Sequence, residues 1–309
     1  MKQLPIRSIA LCLLLIPMLF LSAEVTEGAR TGLLLWYHSV VPALFPFMVI
    51  SGLIVSGGGI TYIMSPFYKI LHPLLGLSHN GCYVLISGLL CGYPMGAKTC
   101  AEFSADKRIS VNEGKFLMAI CNHPSPMFIL GYVYPWFSKY LNIADLLIAV
   151  YLPIIIIAFI AKQRYSFSNK QYSVNDPTKI RNSSDSMEEH ILSSIEVLCK
   201  IGGYLVLFSI AIILINKCSF LPKSLRLGFI GLMEMTTGIR EFAGIRDWRI
   251  GYVASVASLT FGGLSGIFQT KSVLEHKKEA GLSVRPYILW KTAHALLASG
   301  LACLLCNYF

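Results

Sequence analysis

Two apolar runs that stop halfway constrain this chain more than anything else in it. Cys82–Cys91 and Ile250–Phe261 are 10 and 12 residues long, whereas a helix needs about 20 residues to cross the ~30 Å hydrocarbon core of a bilayer. The first run ends at Gly92-Tyr93-Pro94-Met95-Gly96-Ala97-Lys98 and is followed by a charged stretch, Thr99–Arg108, carrying Glu102, Asp106, Lys107 and Arg108. The second ends at Gly262-Gly263-Leu264-Ser265-Gly266 and is followed by Gln269-Thr270-Lys271 and a charged helix through Lys277 and Lys278. Asn112–Trp136 has the same design, a helix to Cys121, then Asn122-His123-Pro124-Ser125-Pro126, then a second apolar stretch from Met127. Broken backbone inside lipid must be buried in protein or line a cavity, because its polar groups have no water to bond. The expectation is therefore half-helices with central breaks. Shifting the first half by 170 positions lays Gly92 on Gly262, Gly96 on Gly266 and Lys107 on Lys277, which predicts two weakly related halves whose breaks face one another.

Composition makes the surrounding medium a membrane. Of 309 residues, 55% are apolar and only 14% charged, and the mean hydropathy is +0.62; soluble domains average about 25% charged residues. The predicted fold class is all-α, a polytopic membrane helix bundle with room for roughly seven to ten membrane segments. The 26 Lys and Arg against 16 Asp and Glu give a formal charge of +10. These basic residues lie mostly between apolar runs, where they hold loops to the cytoplasmic side and meet anionic lipid. No basic stripe with interleaved aromatics is left for a nucleic acid. The nine cysteines are odd in number, and most lie in apolar stretches as small hydrophobes. Even Cys303-Leu-Leu-Cys306 has no second pair, so neither a metal site nor a cofactor is expected.

Leu4–Ala23 reads as a retained first membrane helix, with Lys2 and Arg7 keeping the N-terminus inside. Glu27–Val40 reads as an amphipathic helix. Val41–Met48 then opens a hydrophobic stretch whose prolines, 42 and 46, free carbonyls that must find partners inside protein. Ile143–Ile160 is a plain membrane helix with Pro153 in it, and Val197–Ile215 re-enters the membrane. Leu227–Ile239 is a shorter stretch carrying Glu234, and Tyr287–Cys306 completes the bundle. The polar, charge-rich Lys162–Glu189 divides the chain into an N-terminal membrane half (1–161), a linker (162–190) and a C-terminal membrane half (191–309).

The breaks carry the functional expectation. A helix broken within the bilayer offers N–H groups and a positive dipole end to an anion, and loose carbonyls to a cation. The candidate substrate-binding residues are Gly92, Tyr93, Pro94, Gly96, Lys98, Asn122, Ser125, Pro126, Gly262, Gly263, Ser265, Gly266, Gln269 and Thr270, with Lys98 receiving a carboxylate and the polar side chains supplying hydrogen bonds. Glu102, Glu234 and His294 are candidates for proton or ion coupling. Three functions are weighed. A small anionic metabolite crosses the bilayer through this site; or the chain is a non-transporting scaffold that organises other membrane proteins; or Gly263-Leu264-Ser265-Gly266, with His294 on the next helix, forms the Ser–His dyad of an intramembrane protease. The first is favoured, and no catalytic residue is assigned.

Pro42-Ala43-Leu44-Phe45-Pro46-Phe47, Gly92–Lys98, Cys121-Asn122 with Pro126-Met127-Phe128, Gly262–Ser265 and Lys291–Ala295 together resemble the YlbJ-type (SpoVV) sporulation integral membrane proteins, which carry a nucleoside-recognition or "Gate" domain. The resemblance spans roughly positions 30 to 305. It implies a multi-pass protein of the mother-cell-derived outer forespore membrane of an endospore former, passing dipicolinic acid toward the forespore, alone, as a homo-oligomer or with other sporulation membrane proteins. The chain departs from the pattern at Ser125, where a glycine precedes the proline in the family, and it is shorter than the family's longer members.

Overall fold

The computed structural model describes residues 15–16, 18–167, 187–217 and 221–306, and among them there are helices and no strand. Most of the expected first helix, Leu4–Ala23, and most of the linker lie outside the described residues. The chain runs through α1 (Ser22–Leu35), a π turn and α2 (Val41–Ser56), then α3 (Ile60–Leu75), α4 (His79–Cys91), α5 (Met95–Ala105) and α6 (Val111–Ile120). It continues through α7 (Pro126–Phe128), a second π turn and α8 (Tyr134–Phe137), and then α9 (Ile143–Arg164). Beyond the linker come α10 (Met187–Lys217), α11 (Lys223–Met233), α12 (Met235–Ala243), α13 (Trp248–Phe261), α14 (Gly263–His276) and α15 (Val284–Cys306).

Local chemistry starts most of these helices. Ser78, Ser110 and Ser125 each accept a backbone N–H at the start of α4, α6 and α7, Asn142 and Asp145 form a capping box on α9, and Glu234 and Asp247 cap α12 and α13. Each such cap satisfies donors that a helix start leaves without partners.

By length and composition four helical stretches can cross a membrane, α9, α10, α13 with α14, and α15, and two bent pairs raise the number to as many as six. Their outer faces are apolar: Ile148, Leu152, Ile155 and Phe159 on α9, Leu207 on α10, and Leu289, Leu296 and Leu304 on α15 are all exposed. A polytopic all-α membrane bundle is what such faces require. The α1–α2 pair, bent by 48°, packs Leu44 and Met48 against Leu198, Ile201 and Leu205 of α10. The proline-bearing stretch is enclosed on one face only: Leu44, Met48 and Val49 are buried, while Pro42, Pro46 and Ile50 are exposed. α3 was not anticipated. It buries Ile60 and Met64, exposes Tyr62, Phe67 and Ile70, and meets α4 at 99°, the arrangement of a helix lying along a membrane face.

Contacts at the two ends of the bundle set the path of the chain. At the linker end, His190 Nε2 lies 3.1 Å from Ser56 Oγ, Lys162 donates to the Leu74 carbonyl at 2.9 Å, Asn112 donates to the Ser166 carbonyl and Ser104 to that of Ala280. At the far end, Lys217 pairs with Glu24 at 3.0 Å, Arg226 donates to the Asn216 carbonyl, and Tyr140 stacks on Trp248 at 4.9 Å. In the first half, α4 and α5 form a hairpin that dips in from the linker end, α6 through α8 is a broken span to the far end, and α9 returns. In the second half, α11 and α12 dip in from the far end, α13 and α14 are a broken span to the linker end, and α15 returns. The order is the same and the sense is reversed, which is an inverted repeat.

This corrects the register read from the glycines. The hairpin tips at 92 and 234 are 142 positions apart, and the span breaks at 122 and 262 are 140 apart, so the offset is about 140 and not 170. The 170 shift had laid a hairpin tip on a span break. Both positions need glycine for a local reason, a left-handed backbone of φ +76° at Gly92 and +85° at Gly262, so their identity reports backbone shape and not equivalence. The second hairpin was hidden within Leu227–Ile239, because Glu234 turns its tip in place of glycine or proline.

Candidate functional site

All four breaks open on one cavity of about 100 Å³ at the centre of the bundle, lined among others by Gly92, Tyr93, Pro124, Ser125, Glu234, Thr236, Gly262, Ser265, Gly266 and Gln269. Residues from α1 to α2 and α10, including Ser39, Leu44, Ile201 and Leu205, close its apolar side.

The first hairpin turns at Gly92, through a cis Tyr93–Pro94 bond. A Cβ at Gly92 would stand 2.8 Å from Ser125 N and 3.0 Å from the His123 carbonyl, so the tip is seated on the first span break. The Tyr93 side chain reaches the second break. Its hydroxyl donates to the carbonyls of Leu259 at 3.1 Å and Thr260 at 3.2 Å, and a Cβ at Gly262 would meet its ring at 3.1 Å. Lys291, 1% exposed, donates to the Tyr93 hydroxyl at 2.7 Å and to the Asn122 carbonyl at 3.3 Å. Asn122 ties three elements together: its side-chain oxygen accepts from Ala97 N–H, and its amide donates to Thr270 Oγ1 at 3.0 Å and Tyr287 OH at 2.8 Å.

The second hairpin is closed by Glu234. Its carboxylate accepts the N–H groups of Thr236 at 2.9 Å and Thr237 at 2.8 Å, and also the Thr236 hydroxyl. The positive end of α12 is thereby occupied by a carboxylate of the chain itself. α14 is different: it begins at Gly262 without a side-chain cap, and on its first turns Gln269 Nε2 donates to Ser265 Oγ at 3.0 Å.

The expected site residues thus divide. Gly92, Tyr93, Ser125, Gly262, Ser265, Gly266, Gln269 and Glu234 face the cavity. Asn122, Thr270 and Gly96 stand behind it as packing and bonding elements, Pro94 caps α5, Pro126 starts α7, and Gly263 approaches the Met233 carbonyl.

Lys98 is not the cavity's cation. It is ion-paired with Glu102 at 2.7 Å, and both line a second pocket toward the linker end with Glu196, Lys200 and Lys277. The ion pair also takes up the Glu102 carboxylate. Ile201 and Gln269 line both spaces and separate them. Because the pair is i,i+4 and reaches solvent, Lys98→Ala is expected to cost less than about 1 kcal/mol, read as a melting temperature within a few degrees of the parent.

The lysine between the breaks is Lys291, which belongs to the Lys291–Ala295 motif but is not among the residues expected at the site. A lone lysine in the otherwise apolar Tyr287–Cys306 was the available signal, since an ionisable residue in mid-membrane is rarely there without a role. His294 donates through Nε2–H to the Val150 carbonyl at 2.8 Å, and its ring stands edge-on to His123 at 4.7 Å. Ser265 is engaged by Gln269, and no hydrogen bond joins Ser265 to His294 among those of the described residues. Among the described residues no cluster of three His, Cys, Asp or Glu could hold a metal ion.

The chain is similar to the sporulation integral membrane protein YlbJ of Bacillus subtilis (strain 168), 26% identical over 218 residues. The match covers 62% of this chain and 53% of that protein, so the chain aligns with about half of its relative's length. It supports the YlbJ-type resemblance and a multi-pass membrane protein. No family model matches the chain, and no solved structure does.

Proposed function

We propose that the protein is a transporter that moves a small anionic metabolite, with dipicolinate as its substrate, by alternating access between the two ends of the bundle. The observation that carries this reading is the meeting of four helix breaks, two from each inverted half, on one central cavity. Transporters built from inverted repeats place their substrates at such breaks near the midplane. The uncapped start of α14, with the Ser265, Gln269 and Ser125 side chains around it, suits a planar dicarboxylate that needs donors and not a fixed counter-charge. Glu234 already fills the start of α12, so the anion belongs on the α14 side. The linker-end pocket, with three lysines against two glutamates, is an attractive mouth for an anion, and the Ser265–Gln269 bond beside Ile201 closes it from the cavity. The name of the relative supports a role in sporulation, and the outer forespore membrane is the location we propose with it.

Gly266 provides a clean test. A Cβ there meets nothing within 4 Å, yet the residue lines the cavity. Gly266→Leu should leave the fold intact, even gaining a few tenths of a kcal/mol from helix propensity, while filling the binding space. Proteoliposomes containing the parent are expected to take up labelled dipicolinate saturably, with competition by other dicarboxylates, and Gly266→Leu to lose that uptake by tenfold or more at an unchanged melting temperature. Uptake at the parent's rate by Gly266→Leu would remove the cavity from the transport path. No saturable uptake of dipicolinate by the folded parent would sink the substrate assignment.

A further inference from the structure

Lys291 is buried at the point where two half-helices end. α6 stops at Ile120 and α13 at Phe261, both with their C-termini at the centre of the bundle. A helix C-terminus is the negative end of the dipole and leaves carbonyls without intrahelical donors. Lys291 serves both. It bonds the Asn122 carbonyl, just past α6, directly. Through the Tyr93 hydroxyl it reaches the Leu259 and Thr260 carbonyls in the last turn of α13, and the Tyr93 ring lies 4.6 Å beneath its ammonium group. Among the described residues no carboxylate pairs with Lys291; its other ionisable neighbours include His294, nearly one turn along α15, His123 against that ring, and Cys121 at the end of α6. In inverted-repeat transporters, half-helix C-termini and unwound carbonyls of this kind are where a coupling Na⁺ or proton is held.

We infer that Lys291 is a tethered counter-cation, its ammonium group, set between the carbonyls that end α6 and α13, taking the place of an exchangeable metal cation and holding the two broken spans together without bound Na⁺. The consequence for uptake, independence from Na⁺, rests on the transporter reading; the consequences for cation binding and stability do not.

The test uses the purified full chain, with NaCl exchanged for choline chloride at constant ionic strength. The parent should show no saturable binding of radiolabelled Na⁺ and no change in melting temperature between the two salts. Lys291→Ala should melt lower by about 5 °C or more and recover saturably on adding methylammonium or Na⁺, which can enter the vacated space, as binding to the folded state alone requires. Lys291→Met, which fills that space, should melt low and not recover. Saturable Na⁺ binding or Na⁺ stabilisation by the parent would overturn the inference, as would a Lys291→Ala deficit that no cation relieves. Should Lys291→Ala fail to fold, the parent's response to Na⁺ decides alone. Na⁺-dependent uptake by the parent would refute the tethered cation and keep the transporter; a Na⁺-indifferent parent that carries nothing, with Lys291→Ala relieved by methylammonium, would do the reverse.

Discussion

Gly96→Leu and Gly88→Leu are each expected to abolish the folded protein. The two glycines face one another across the first hairpin, and a Cβ on either would overlap the Cys121 carbonyl oxygen. That oxygen belongs to the backbone at the end of α6 and cannot rotate away as a side chain would. The hairpin and the broken span would have to separate, and with them the seat of Gly92 on His123 and Ser125. Overpacking of a core that can repack costs about 1–3 kcal/mol; against the backbone of Cys121 and of the facing glycine the loss should exceed about 4 kcal/mol, which is a large share of a typical stability. The measurement is the yield of monodisperse protein in detergent and its melting temperature, with Gly203→Leu as a control, since a Cβ at Gly203 meets nothing within 4 Å. A Gly96→Leu protein that melts within a few degrees of the control would mean that α4, α5 and α6 do not pack as described.

Glu234→Ala should open the second hairpin. The carboxylate is 2% exposed and accepts two N–H groups and one hydroxyl, all of which would lose this partner. Each buried donor without an acceptor costs about 1–3 kcal/mol, so a total loss of roughly 3–5 kcal/mol is expected, more than an exposed helix cap is worth. Glu234→Gln keeps one acceptor oxygen in place and should lose about half as much. Hydrogen exchange separates the two effects from general unfolding: amides of Met235–Thr237 should exchange much faster in Glu234→Ala, while those of α9, remote from the tip, stay protected. Equal protection at the tip in parent and Glu234→Ala would show that the carboxylate does not cap α12, and would return Glu234 to the role of a free coupling group.

The sequence was most legible where lipid leaves few choices. An apolar run of about 18–20 residues has to be a spanning helix, and Ile143–Ile160 and Tyr287–Cys306 are plain as α9 and α15. A run of half that length followed by glycine, proline and charge has to turn or break, and Cys82–Lys98 and Ile250–Gly266 were read on that ground. Hairpin and broken span look alike in one dimension, however. The residues after Gly92 turn back toward the linker end and those after Gly262 carry on to it, a difference made by what each half-helix packs against: α5 against α4 and α6 through Gly88 and Gly96, α14 against α5, α10 and α11.

Charge followed the same division. Composition alone located the protein in a membrane, and the pattern of breaks alone pointed to its centre. Which lysine stands there did not follow, because Lys98 lies near a break in sequence and turns one helical step away to pair with Glu102, whereas Lys291 lies near none and is brought between two of them by the crossing of α15. What the residues determined unaided was the medium, the long spanning helices and three of the four interruptions, at Gly92, Asn122 and Gly262, since each depends on a local run of side chains meeting lipid. The inverted order of the halves, the second hairpin at Glu234 and the cation at the meeting of the breaks were decided by tertiary structure, because they depend on which carbonyls and N–H groups, far apart in the chain, must satisfy one another where no water can.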